Sequence, residues 1–203
     1  MDTKIALTGA SGFVGRYVVS DLRGIPIGDA THKVDVRDYH KLVQALADIK
    51  PDALLHLAAN SFVPESFADP SGTFEVNFLG TLNLLQALEA TGFKGRFLYV
   101  GSADVYGLVA EDELPIVEDR PLRPRNPYAV SKTAAEGLCY QWSQTGPFEI
   151  IMVRPFNHIG PGQDDRFVVA NFARQIVEIK MGCREPVLRV GNIDVSRDFT
   201  DVR

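Results

Sequence analysis

The sequence predicts an α/β fold, a doubly wound parallel sheet with helices on both faces, and three observations carry that prediction. Apolar runs of strand length alternate with helical patterns along the chain. The first such run passes straight into a spaced glycine segment that opens a helix. The chain has 203 residues, 45% of them hydrophobic, which suits one domain of that class with a sizeable buried core.

Taken in order, KIALTG reads as the first strand and GASGFVG, residues 9 to 15, as the turn into a helix. GIPIGDATHKVDV, residues 24 to 36, offers only a short, proline-broken second strand. A helix from about Tyr39 to Ile49 follows, then the strand ALLHLAA. A helix near Asn77 to Ala90 leads to the strand RFLYVGS, and the helix opened by NPYAVSK leads to EIIMVRP. The last helix runs from about Phe167 to Lys180. Strands joined through helices return to the same end of the sheet, so they pair in parallel.

A formal net charge of -5 argues against nonspecific nucleic-acid binding. The start MDTKIALTGASG enters a strand with no basic region, long apolar stretch or small-residue cleavage site, so a cytoplasmic protein without a membrane partner is expected. Cys139 and Cys183 lie far apart without metal-ligand spacing, so both read as reduced thiols and no metal is expected.

Two stretches carry chemistry. Gly9, Gly12 and Gly15 fall between a strand and a helix, where backbone N–H groups and the helix dipole receive a pyrophosphate, as in Rossmann-type folds. A tight turn would account for the glycines alone. The acidic residue expected about 20 positions further on has two candidates, Asp29 and Asp35, so the choice between NADH and NADPH stays open. In NPYAVSK, Tyr128 and Lys132 share one face of a helix that the preceding proline suits. An ammonium there favours the phenolate and pulls the phenol pKa below its ordinary value. Such a pair in isolation is better explained by an ordinary helix surface. His56, within LLHLAA, reads as a satisfied strand residue rather than a catalyst.

TGASGFVG, Ser102 and YAVSK stand in the order of the extended short-chain dehydrogenase/reductase family, which the chain resembles from residue 3 to its end, HLAA at 56 to 59 and the Asn77 helix start included. The resemblance implies that Tyr128 is the general acid or base, that Lys132 lowers its pKa and holds the nicotinamide ribose, and that Ser102 hydrogen-bonds the reacting oxygen. It implies an NADPH or NADH site made by Gly9, Gly12, Phe13, Val14, Gly15, Asp35, Val36, Leu57, Ala58, Ala59, Tyr128, Lys132 and Pro155. Asp35 would accept from the adenine amine; capping the Tyr39 helix is the alternative.

RPFNHIGPGQ and VGNIDVSRDFTDV resemble the nucleotide-sugar branch of that family. There Ser61, Ser102, Asp104, Asn157, Phe167, Val168 and Arg197 would meet the substrate, Asn157 and Arg197 at the diphosphate. An ion pair of Arg197 with Asp194 or Asp201 is the competing assignment. GNIDxxRDF resembles enzymes acting on GDP-mannose derivatives, and RPFNHIGPGQ leans toward the reductases among them. The expected activity is NAD(P)H-dependent reduction of the C4 ketone of GDP-4-keto-6-deoxy-D-mannose to GDP-D-rhamnose. The alternatives are a GDP-mannose 4,6-dehydratase and a non-catalytic NAD(P)-binding regulator. A dehydratase needs a glutamate two before Tyr106, where this chain has Asp104, one methylene shorter; an aspartate capping its own turn is the bland reading of that residue. The resemblance further implies a cofactor domain over 1–160, the start of a substrate lobe over 161–203 that continues beyond Arg203, and a homodimer. The dimer would pair helices at about 77 to 90 and 128 to 142, with Leu82, Leu85 and Trp142 as its apolar residues.

Overall fold

Ile5–Thr8 forms strand β1, and every other long element of the first part of the chain is placed by reference to it. The computed structural model describes residues 3–28 and 34–203, so Asp29 lies outside the described residues. The chain divides into two units, Met1–Pro155 and Phe156–Arg203.

In the first unit, helix α1 (Phe13–Asp21) leads to β2 (Ile25–Pro26), and α2 (Tyr39–Ile49) leads to β3 (Ala53–His56). Short helices α3 (Val63–Ala68) and α4 (Pro70–Phe74) run through a π-helical turn at Glu75–Leu79 into α5 (Gly80–Ala90), which precedes β4 (Arg96–Val100). A 3-10 turn at Ala103–Tyr106 comes before α6 (Pro127–Thr145) and β5 (Glu149–Val153). The five strands are parallel in the order β2-β1-β3-β4-β5, as the alternation of elements predicts. The order reverses direction between β1 and β3, and ligands of open α/β sheets bind beyond the carboxyl ends of strands at such a point.

The core follows the two sequence periods. Leu42 and Leu46, one helical turn apart on α2, and Leu84, Leu85 and Leu88 on α5 are buried with Leu54, Phe97 and Tyr99 of the sheet. Each fully buried leucine contributes about 1.5–3 kcal/mol relative to its exposed form. Leu85 is core, with 0% exposure, and half-buried Trp142 packs against the same cluster. Leu82 is half-buried.

The second strand is short, as the sequence suggests: it has only two residues, and its Pro26 sits at the sheet edge, where a missing N–H costs no ladder bond. Two elements differ from the sequence reading. The Asn77 helix begins earlier: Asp69 caps it by accepting from Gly72 N at 2.9 Å, with Pro70 in its first turn. The π turn then breaks the 3.6-residue period, which hides residues 70–79 from a periodicity search. Asp38, not Asp35, caps α2, accepting from Lys41 N at 3.1 Å.

His56 shows how the sheet end is tied together. Its Nδ1 lies 2.7 Å from Thr8 Oγ1 and its Nε2 3.0 Å from Thr81 Oγ1. Thr81 donates its own proton to Asn77 O at 2.7 Å, so Nε2 must donate and Nδ1 must accept from Thr8. Thr8 in turn accepts from Ala58 N at 3.1 Å, which fixes the chain just beyond β3. Complete burial holds the imidazole pKa down at about 3, so the ring is neutral in use, a strand residue as read from the sequence. His56→Leu leaves both threonines without that partner and is expected to destabilise the protein by about 2–4 kcal/mol. A denaturant midpoint that does not move would refute this.

In the second unit, β6 (Asn157–Ile159) pairs in parallel with β7 (Phe199–Asp201), and α7 (Val168–Lys180) lies between them in sequence. Both strands of this pair belong to the second unit. Buried Gln175 binds the backbone of Arg189 through both its amide oxygen and nitrogen, at 2.8 and 2.9 Å, and so ties the following segment to α7. No helix of the described residues is long and apolar enough to cross a membrane.

Candidate active site

The glycine turn comes first, because its geometry leaves no room for side chains. Gly9 has φ +71°, and a Cβ there would stand 2.7 Å from Ala58 N. A Cβ on Gly15 would stand 2.2 Å from Gly9 O, so the first turn of α1 packs directly on the loop. Gly12 N donates to Gly9 O at 3.0 Å, and Gly12 is the N-cap of α1 without a side-chain cap. The first N–H groups of α1 are thus left for an external acceptor. Phe13 and Val14 continue the turn, and Leu57, Ala58 and Ala59 follow β3 on the other side of the reversal; all five are half-buried. This cradle fits a dinucleotide pyrophosphate.

Asp35 and Val36 flank it before α2. Val36 is buried against Gly80, where a Cβ would meet Val36 Cγ2 at 2.5 Å, and Asn83 Nδ2 binds Val36 O at 3.2 Å. The exposed carboxylate of Asp35 is gripped by Arg37, whose Nη2 and backbone N donate at 2.7 and 2.9 Å. That contact holds its pKa below the usual range, so it is an ionised acceptor.

The helix α6 supplies the second half. Asn126 caps it, accepting from Ala129 N at 2.7 Å, with Pro127 at its first position. Tyr128 and Lys132 are both buried on one face of it, as their spacing predicts. Lys132 Nζ donates to Val100 O, at the end of β4, at 2.8 Å, and burial brings its pKa down to about 8. Ser102, two residues beyond β4, is hydrogen-bonded to Tyr128 and also accepts from Asp104 N at 3.2 Å. The Ser102 hydroxyl is thus placed beside the phenol. The phenol pKa moves opposite to the sequence expectation. Burial raises it, Asp104 adds to the rise, and only the Ser102 hydrogen bond lowers it. The ammonium of Lys132 is turned to a backbone carbonyl instead.

Asp104 is exposed and does not cap its own turn; Ser102 does. Its carboxylate accepts from Asn126 Nδ2 at 3.4 Å, which ties it to the start of α6. Ser61 is exposed in the loop after β3, and Pro155 O accepts from Ala103 N at 3.0 Å. Sequence reasoning missed two braces. Asn126 caps α6 and also holds the Asp104 carboxylate. Buried Asn77 binds Asn60 N and O at 2.8 and 3.1 Å and Ser131 Oγ at 2.9 Å, linking the loop after β3 to α6. Only burial in the π turn reveals that role.

Within the second unit, Asn157 Nδ2 donates to Asp198 O at 3.0 Å. Phe167 is half-buried at the start of α7, and Val168 is exposed. Arg197 is exposed, and its Nη1 donates to Ser196 O at 3.1 Å. It is not paired with Asp194 or Asp201; Asp201 binds Arg203 instead, at 2.9 Å.

Comparison with known proteins agrees with this geometry. The profile of the family described as GDP-mannose 4,6 dehydratase matches residues 28–203. GDP-6-deoxy-D-mannose reductase of Pseudomonas aeruginosa is 50% identical over 210 residues, covering 100% of this chain and 68% of that protein. GDP-mannose 4,6-dehydratase of Yersinia enterocolitica is 35% identical over 170 residues, covering 83% of this chain and 45% of the relative. Among solved structures, RMD from Pseudomonas aeruginosa complexed with NADPH superposes with a TM-score of 0.91 at 50% identity, over 98% of this chain and 68% of that one. UDP-glucose 4-epimerase of Thermus thermophilus in complex with NAD gives 0.82 at 30% identity, over 98% and 71%. The chain therefore belongs to the nucleotide-sugar branch of the extended short-chain dehydrogenases/reductases, in the family of the GDP-mannose 4,6-dehydratase profile.

Proposed function

We propose that the chain belongs to an NAD(P)H-dependent reductase that converts the C4 ketone of GDP-4-keto-6-deoxy-D-mannose to GDP-D-rhamnose. The observation that carries this reading is 50% identity along the whole chain to GDP-6-deoxy-D-mannose reductase. The Gly9–Gly15 turn, the Leu57–Ala59 segment and Lys132 would hold the nicotinamide cofactor, which when bound would supply the hydride for C4.

What the residues do follows from their hydrogen bonds. As negative charge builds on the C4 oxygen, the Ser102 hydroxyl and the Tyr128 phenol are placed to stabilise it, and Tyr128 gives up its proton. The raised pKa of Tyr128 suits this direction, because the phenol is fully protonated at neutral pH before the ketone meets it. Lys132 is 4% exposed, so its charge is little screened and opposes the phenolate's cost once the proton has moved. Asn157 and Arg197 would meet the diphosphate, Arg197 through its planar fork. Asp104 orients the sugar.

The 4,6-dehydratase reading draws on the family profile and on the carboxylate of Asp104. Elimination needs a base in hydrogen-bond reach of C5, and a side chain one methylene short misplaces it by about 1 Å. Mixing the full-length protein with NADPH and the keto-sugar should consume cofactor; no consumption would sink the reductase reading. Since Lys132 is charged only below about 8, kcat/KM should fall as pH rises through that value. A profile flat to well above it would remove Lys132 from the mechanism.

A further inference from the structure

A largely buried ion pair that this chemistry does not use joins α6 to the residue after β5. Arg154 Nε donates to both oxygens of Glu136 at 3.1 and 3.0 Å, and Nη2 donates to Oε1 at 2.5 Å. Both remaining contacts leave from Nη1: the Tyr106 hydroxyl at 2.8 Å and Glu118 O at 2.7 Å. The guanidinium carbon also lies 5.1 Å from the Tyr106 ring centroid. Glu136 is 8% exposed and Tyr106 4%.

The placement of these groups matters more than their number. On α6, Glu136 follows Lys132 by four residues and Tyr128 by eight, so all three share one face. On the other side, the residues flanking Arg154 hold the turn that carries Ser102 and Asp104. Gly101 N donates to Val153 O at 2.7 Å, and Ala103 N to Pro155 O at 3.0 Å. Arg154 thus grips the far end of that turn at Tyr106 while its neighbours grip the near end. A buried ion pair adds little net stability compared with an apolar replacement, but its fork accepts few geometries.

We propose that Glu136, Arg154 and Tyr106 form a positioning clamp that sets the turn of Ser102 and Asp104 against the helix of Tyr128 and Lys132. Arg154 and Tyr106 are positioning residues, and the inference rests on the reading of those four as the reacting groups. Loss of the clamp leaves the hydroxyl pair intact and misplaced, which lowers kcat more than it weakens cofactor binding, because the glycine turn packs on Leu57 and Ala58 and Lys132 keeps its bond to Val100 O.

The test uses the full-length protein. Tyr106→Phe deletes the accepting oxygen and keeps the ring, so it is the variant to measure; Arg154→Lys, which keeps the charge without the fork, is the second. Tyr106→Phe should lower kcat about tenfold with NADPH affinity within about twofold of wild type, and Arg154→Lys should lower kcat further. In a double-mutant cycle, Tyr106→Phe should cost much less when Ser102 is already alanine, a coupling that a purely structural role does not produce. Amide hydrogen exchange without substrate should quicken over residues 101–107 in Tyr106→Phe and stay unchanged in β1 and β3. Unchanged kcat with a lowered denaturation midpoint, or unaltered exchange over 101–107, would overturn the clamp. A wild type inactive on the keto-sugar would end the reductase reading alone, because the exchange measurement still decides the clamp.

Discussion

Tyr128→Phe should lower turnover of the keto-sugar by about 10²-fold or more while leaving NADPH affinity nearly unchanged. Phenylalanine keeps the ring that fills this buried position and removes the phenolic proton. A loss of that size corresponds to about 2.7 kcal/mol of transition-state stabilisation, the usual scale of a positioned acid. Substrate and cofactor still bind, so the change belongs in kcat rather than in KM. Steady-state kinetics with the cofactor dissociation constant measured separately check this. A variant that keeps more than a third of wild-type kcat would assign the proton to another group.

Gly9→Ala should abolish useful cofactor binding, weakening NADPH affinity by about 10²-fold or more. Two costs coincide there. A Cβ at φ +71° is strained by about 1–2 kcal/mol, and it would also press on the backbone of Leu57 and Ala58, at 2.8 and 2.7 Å. Neither neighbour is the flexible end of a side chain, and Ala58 is further held by Thr8. The loop must therefore move, and with it the N–H groups that face the pyrophosphate. Fluorescence titration with NADPH reads the loss. An affinity within threefold of wild type, in a protein that still melts cooperatively, would show that the turn does not hold the cofactor.

The parallel sheet was legible because its signal is local: short apolar runs such as ALLHLAA and EIIMVRP, each followed or preceded by a helical period. The spacing of Tyr128 and Lys132 was legible for the same reason, since four residues put both on one face of α6. The direction of the phenol pKa was not. It depends on burial and on where the Lys132 ammonium points, and Val100 O, which receives it, is distant in sequence. Residues 70–79 were hidden differently. Pro70 starts a helix there and Asp69 caps it, outside any regular apolar period. DVRD offers an aspartate at both ends, so Asp35 kept two readings in the sequence, adenine acceptor or cap of α2, and the cap is Asp38. Asn77 and Asn126 carry braces that only tertiary contacts reveal.

The reductase assignment is tested most directly by product analysis of the full-length protein given GDP-mannose and GDP-4-keto-6-deoxy-D-mannose separately, each with NADPH, as wild type and as Asp104→Asn. The account predicts that wild type reduces the keto-sugar with matching cofactor consumption and leaves GDP-mannose unchanged. Asp104→Asn should reduce the keto-sugar at a mildly lowered rate, because asparagine keeps the size and much of the hydrogen bonding of the residue held by Asn126. Robust elimination of water from GDP-mannose by wild type, abolished in Asp104→Asn, would contradict it.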